Sequence, residues 1–233
     1  MPISLEGFRD WHELPTFALV GLCTGIVCLF FQTFLLFIAK RFQKFHHHPN
    51  KLILLTGVWG CFLGVILLVK PEVLGIGHTI FEDAIQNSLP FIPAILILAT
   101  RIPLSAISYA TGAPGGLIVP ALLFGVLSGQ AFSTSYAYMV GGVDADFHSV
   151  CLVAGMAASI GALFRTPLTA TIMAVEITGA YDCVLEISIA YLAAHSLLGL
   201  ARQPDLYTAL GRIHEGDTGK QAARIDAARS SIH

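Results

Sequence analysis

The stretch Gly112-Ala113-Pro114-Gly115-Gly116-Leu117-Ile118-Val119-Pro120 lies inside a 42-residue run, Ile102–Val143, that contains no Asp, Glu, Lys or Arg. Its glycines and prolines break any helix arriving from the Tyr109 side. A new apolar helix then starts near Leu117, with Pro120 in its first turn, where a missing N–H removes no helical hydrogen bond. A helix that begins at membrane depth leaves its first N–H groups without partners and exposes the positive end of its dipole. Lipid cannot satisfy those groups, so protein or an ion must. Backbone donors and a partial positive charge, with no full cation, suit a small anion that has to bind and leave. The alternative is a plain Gly-Pro hairpin emerging at the surface. Against it, no charged residue occurs between Arg101 and Asp144.

Outward from this run, the whole chain has the composition of a membrane protein. Of 233 residues, 55% are hydrophobic and 12% charged, against roughly 25% charged in soluble domains. Leu14–Ala39 and Leu52–Val69 are likewise free of charge, and uncharged apolar runs of that length are transmembrane candidates. A soluble enzyme and a disordered scaffold are excluded. The net charge of −2 offers no basic surplus for nucleic acid. The first apolar run has no small-residue cleavage pattern after it and is not a signal peptide.

Further spans are expected over Phe91–Tyr109 (interrupted by Arg101 and Pro103), Leu117–Val140, His148–Phe164, Pro167–Thr178 and Cys183–Ala201, with a short helix around His78–Gln86. The four basic residues Lys40, Arg41, Lys44 and Lys51 place residues 40–51 in the cytoplasm. Residues 1–13 then form an extracellular or periplasmic lead-in, 14–201 the membrane domain, and 202–233 a cytoplasmic C-terminal helix and tail. The glycine pairs Gly21/Gly25, Gly60/Gly64 and Gly125/Gly129 predict close helix packing.

Other polar residues have mainly structural readings. Arg165, before Thr166-Pro167, is expected at a helix end facing water or carbonyls, and Arg101 and Glu176 likewise near helix ends. His46-His47-His48 point in different directions and adjoin a basic loop, so no metal site is expected. His195 reads as a satisfied packing residue, and the five cysteines as small hydrophobes packed between helices. No catalytic motif occurs and no cofactor is expected; the protein is not read as an enzyme. Tyr207 either anchors at the membrane interface or turns inward to offer its hydroxyl to an ion.

These residues together resemble the second half of the CLC family of chloride channels and chloride–proton exchangers. The resemblance runs from Leu14 to Leu210 in one order. It rests on the Ser/Thr-Gly-Ala-Pro-Gly-Gly turn at Thr111–Gly116 and on the Gly-x-Phe-x-Pro ion motif as Gly116-Leu117-Ile118-Val119-Pro120. It continues through Ala154–Ala158, Arg165–Thr169, Glu176–Thr178 and the late Pro-x-Leu-Tyr at Pro204–Tyr207.

The resemblance implies an all-α integral membrane fold, one half of the family's inverted repeat, with broken and re-entrant helices. It implies that the N–H groups of Leu117 and Ile118 and the hydroxyl of Tyr207 hold chloride, with Gly116 and Pro120 as the pore motif. It also implies a homodimer through residues 167–201, a location in a bacterial inner membrane crossed several times, and chloride and the lipid bilayer as partners. Two departures stand out. Ile118 replaces the usual Phe, which removes a ring contact but keeps the N–H, and Asp205 is an extra residue before Leu206-Tyr207. The first-half motifs Gly-Ser-Gly-Ile-Pro and Gly-(Lys/Arg)-Glu-Gly-Pro, the latter bearing the gating glutamate, have no counterpart in this sequence, so a missing N-terminal half is expected. The expected function is chloride conduction or chloride–proton exchange, with the chain as the C-terminal half. The alternatives are a non-transporting half that dimerises with or modulates a full-length relative, and an unrelated permease with a chance Gly-Pro break.

Overall fold

In a computed structural model, residues 14–46, 49–69, 90–111 and 116–213 are described. The lead-in at 1–13, the connection containing His78–Gln86, the turn residues 112–115, His47, His48 and the tail from 214 lie outside them. The helices are α1 (Leu14–His46), α2 (Pro49–Val69), α3 (Phe91–Ala110), α4 (Ile118–Val140), α5 (Ala145–Phe164), α6 (Pro167–Thr178) and α7 (Val184–Leu200). A 3₁₀ turn at Tyr181–Cys183 precedes α7, and α8 occupies residues 206–213. No strand occurs among the described residues. Among the described residues, five segments are long and apolar enough to cross a membrane: Leu14–Phe42, Phe91–Ala110, Ile118–Val140, Ala145–Phe164 and Tyr181–Leu200. The protein is an all-α, multi-pass integral membrane protein.

The bundle is built around α5, in which every residue from His148 to Leu163 is buried. Its run of small residues, Ala154-Gly155-Met156-Ala157-Ala158-Ser159, lets neighbouring helices approach its backbone. α4, α7, α1 and α6 all pack against it. Gly125 and Gly129 of α4 abut Gly155 and Cys151 of α5, and Gly21 and Gly25 of α1 abut Ala190 and Ala194 of α7. The third glycine pair behaves otherwise. A β-carbon at Gly60 or Gly64 would meet nothing within 4 Å, so among the described residues this pair makes no close helix contact.

Polar residues inside the bundle pair across helices, because lipid offers them no substitute for water. Thr24 of α1 meets Ser128 of α4 at 2.9 Å. Ser159 of α5 donates to the Ala121 carbonyl of α4 at 2.7 Å. Ser133 and the ring of buried His148 are 2.8 Å apart.

α2 is the exception to this packing. Ile53, Leu54, Val58, Val65 and Leu68 are all exposed. It is tied to α3 by Trp59 Nε1 donating to Ser108 Oγ at 2.9 Å and by Thr56 Oγ1 donating to the Thr111 carbonyl at 3.2 Å.

Three readings of single residues are corrected. Arg101 lies in mid-helix on α3 and is buried, not at a helix end; α3 runs unbroken through it and through Pro103. Cys28, Cys151 and Cys183 are buried as expected, but Cys23 and Cys61 are exposed. His195 packs beside Tyr191, ring centroids 5.4 Å apart, yet its buried Nδ1 has no hydrogen-bond partner among the described residues. An apolar helix seen as sequence carries no mark of which face meets protein, and that is why these three misread.

Candidate functional site

The site starts at the break between α3 and α4. α3 ends at Ala110, and Thr111 N–H closes its last turn on the Ile107 carbonyl at 3.0 Å. α4 begins at Ile118 with Leu117 as its N-cap, and among the described residues no side chain caps it. The first backbone bond of α4 runs from the Ala121 N–H to the Leu117 carbonyl at 3.1 Å. The N–H groups of Leu117, Ile118 and Val119 therefore have no carbonyl of the helix to pair with. Pro120, the third helical residue, has no N–H at all, so the donors are confined to the outermost end of the helix. The Leu117 side chain is buried in the core, whereas Ile118 and Val119 are exposed. Leu117 thus anchors the helix start, with its two neighbours exposed. Among the described residues, a β-carbon on Gly116 would meet nothing within 4 Å.

Tyr207 lies on α8, toward the other end of the chain. Its ring stacks on Phe164, the last residue of α5, with centroids 5.0 Å apart and planes 25° apart. Tyr109, at the end of α3, lies near enough for the two phenols to interact electrostatically. Tyr207 is half exposed, and its stacking on Phe164 gives the ring a protein contact beyond an interfacial anchor.

Asp205 is the N-cap of α8. Its carboxylate accepts from the Thr208 N–H at 2.9 Å, satisfying one of the open donors at the helix start. Hydrogen bonds from Thr208 hold its carboxyl below the ordinary carboxylate range, with the nearby Arg165 charge contributing in the same direction and partial burial opposing both. Asp205 thus fixes the start of the helix that carries Tyr207.

Two more side chains hold the approach to α8. Arg165, at the left-handed end of α5 (φ 54°), donates from Nη2 to the Gln203 carbonyl at 2.5 Å. It therefore sits at a helix end facing a carbonyl, as expected from the sequence. Gln32, fully buried in α1, donates from Nε2 to the next carbonyl, Pro204, at 2.6 Å.

Phe164, Asp205 and Gln32 were absent from the sequence-derived site. The Asp-x-x-Thr spacing before α8 is a helix-start signal that would have found Asp205. An amide alone in a lipid-spanning run needs a partner, and that would have flagged Gln32. Nothing local marks Phe164. Among the described residues no cluster of three His, Cys, Asp or Glu side chains could hold a metal.

Comparison with known proteins gives a consistent result. Residues 3–199 match the family described as voltage gated chloride channel. The H(+)/Cl(-) exchange transporter ClcA of Salmonella arizonae is 30% identical over 215 residues, covering 91% of this chain and 45% of that protein. The transporter of the same name from Vibrio parahaemolyticus is 28% identical over 200 residues, covering 85% of this chain and 43% of its own length. The crystal structure of a slow cyanobacterial Cl-/H+ antiporter is similar with a TM-score of 0.76 at 23% identity, covering 91% of this chain and 49% of that one. At that identity the likeness shows a shared fold. The chain spans about half the length of the curated relatives it matches.

Proposed function

This chain belongs to the voltage-gated chloride channel family, and from that premise we propose that it supplies the C-terminal half of a transmembrane chloride pathway, either conducting or proton-coupled. The observation that carries this reading is the start of α4. There, backbone donors have no helical partner and, among the described residues, no side-chain cap, and Tyr207 interacts with Tyr109 at the end of the helix before the break. Chloride would be held by the N–H groups of Leu117 and Ile118 and by the Tyr207 hydroxyl. Gly116 keeps the approach free of a side chain, and Pro120 confines the donors to the helix end. Amide and hydroxyl donors replace part of the ion's hydration without a full positive charge, so the ion can also leave. Ile118 gives up the ring that Phe would place there and keeps the amide.

The relatives named as exchange transporters are about twice as long. A segment carrying Gly-(Lys/Arg)-Glu-Gly-Pro would complete the pathway and supply the gating carboxylate. The apolar groove of about 570 Å³ between α6 and α7, lined among others by Leu168, Ile172, Tyr181 and Leu192, supports a homodimer through residues 167–201. The bacterial sources of the relatives support an inner-membrane location, with the tail beyond α7 on the cytoplasmic side.

The test is chloride efflux from liposomes. Vesicles holding this chain alone should retain their chloride. Co-reconstitution with a segment bearing the gating-glutamate motif should release it, and Tyr207→Phe should weaken chloride binding by about tenfold, the worth of one hydrogen bond to an ion. Selective flux from this chain alone would refute the half-pathway. Co-purification with a full-length relative and no flux would favour a modulating role. Flux indifferent to Tyr207→Phe would remove Tyr207 from the site.

A further inference from the structure

The strand of chain that leads into α8 is held at three consecutive positions by three different means. Arg165 takes the Gln203 carbonyl, Gln32 takes the Pro204 carbonyl, and Asp205 caps the helix itself. Two of these holds come from distant sequence: Gln32 is 172 residues from Pro204, and Arg165 is 38 from Gln203. Tyr207 is two residues beyond the cap. The position of its hydroxyl is therefore determined by where residues 203–205 are held, since a helix is stiff once its first turn is fixed.

The Gln32 and Arg165 contacts have features of positioning and little to recommend them as plain stabilisation. Gln32 is fully buried in α1, yet only its Nε2 is used; its Oε1 is buried with no partner among the described residues. An aliphatic side chain of the same volume would avoid that unsatisfied acceptor, so the amide is poorly explained by stability. Arg165 occupies a left-handed conformation (φ 54°) that a side chain other than Gly or Asn adopts at some cost. That conformation turns the guanidinium toward residues 203–205. Both contacts end on the same two-residue segment.

We propose that Gln32 and Arg165 are positioning residues for the anion site, clamping the Gln203 and Pro204 carbonyls so that Tyr207 is held at a fixed distance from the start of α4. The inference rests on the reading of Tyr207 as a chloride ligand and extends it to two side chains that do not touch the ion. It follows that anion affinity and the preference among anions of different radius are set partly from α1 and from the end of α5.

The test uses the full chain, with chloride and bromide as probes, titrated calorimetrically in detergent with and without the completing segment. Gln32→Leu and Arg165→Ala are each expected to weaken chloride binding by about five- to tenfold, the worth of one hydrogen bond acting through Tyr207. In a Tyr207→Phe background the same substitutions should weaken it no further, because the group they position is gone. Arg165→Lys, which can still donate to Gln203, should recover part of the loss. A readout independent of ion binding is 3-fluorotyrosine at position 207. One sharp fluorine resonance is expected in the parent protein, with shifted or broadened signals in Gln32→Leu and Arg165→Ala at unchanged helix content.

Losses that add fully to that of Tyr207→Phe, or an unmoved fluorine resonance, would overturn the clamp while leaving Tyr207 as a ligand. If Tyr207→Phe itself leaves binding untouched, the reading of the site fails, and the clamp's role in anion binding fails with it.

Discussion

Gly125 of α4 and Gly155 of α5 meet backbone to backbone, so that a β-carbon on either would run into the carbonyl oxygen of the other. The contact is mutual and both partners are helix backbone, which cannot swing aside as a side chain can. It joins the helix whose N-terminus forms the candidate site to the buried centre of the bundle.

Gly155→Ala should therefore destabilise the protein by about 1–3 kcal/mol, the range for forcing extra volume into a packed interior. Thermal unfolding in detergent should show a lowered midpoint. Gly64→Ala is the matched control. It lies on α2, where among the described residues a β-carbon would meet no atom of another helix within 4 Å, and alanine is the better helix former by about 1 kcal/mol, so the midpoint should hold or rise. Equal losses at both positions would mean that the Gly125–Gly155 contact is not tight.

Exposure of α2 predicts that it opens before the rest of the bundle, since few buried contacts mean low local stability. Its amides should exchange fastest among the transmembrane helices. Ser108→Ala, which removes the acceptor of the Trp59 indole, should speed that exchange further and shift Trp59 emission to the red in a Trp11→Phe background. Unchanged exchange would show that the Trp59–Ser108 bond does not hold α2.

Asp205 sets a pH dependence for α8. Its folded-state carboxyl is held below the ordinary range, so its stabilisation is fully present above the unfolded value of about 3.9 and fades as pH falls through the lower folded value. Protection of the amides at 206–210, taken relative to their intrinsic exchange rate at each pH, should be high at neutral pH and fall in acid. Asp205→Ala should lower that protection where the carboxylate is charged, at a cost of about 1 kcal/mol, and approach the parent in acid. Asp205→Asn can still cap, and should remove the pH dependence while keeping most of the protection. An acid response that persists in Asp205→Asn would assign it to another group.

Cysteine labelling tests the burial order without any assay of transport. In detergent, an apolar maleimide should reach Cys23 and Cys61 and leave Cys28, Cys151 and Cys183 unmodified until the protein is unfolded. Native labelling of Cys151 would contradict the central place of α5.

Much of this architecture could be read locally. Gly116–Pro120 and Arg165-Thr166-Pro167 mark the starts of α4 and α6 because glycine and proline interrupt helices whatever surrounds them. Uncharged runs mark spans for an equally local reason, the cost of charge in hydrocarbon. The facing of each helix was not legible. Gly60/Gly64 has the same spacing as Gly21/Gly25, yet among the described residues only the second pair has a helix against it. Arg101 and Arg165 both interrupt apolar sequence, yet one is buried in mid-helix and the other caps an end. The candidate site divides in the same way. Leu117 and Ile118 follow from the break itself, whereas Phe164 beneath Tyr207 has no signature in its own neighbourhood.

Residence in a membrane, the starts and stops of the helices, and the helix end that offers bare amides all follow from the order of the amino acids. Each of these depends on neighbours a few residues away. Which side chains serve that helix end is a matter of packing in three dimensions. A helix that is apolar on every side gives no sign of which face meets protein and which meets lipid. Gln32, Arg165 and the carbonyls at 203–204 come together because α1, α5 and the start of α8 pack in one place, across up to 172 residues of chain. That meeting is a property of the packed bundle, and no local pattern encodes it.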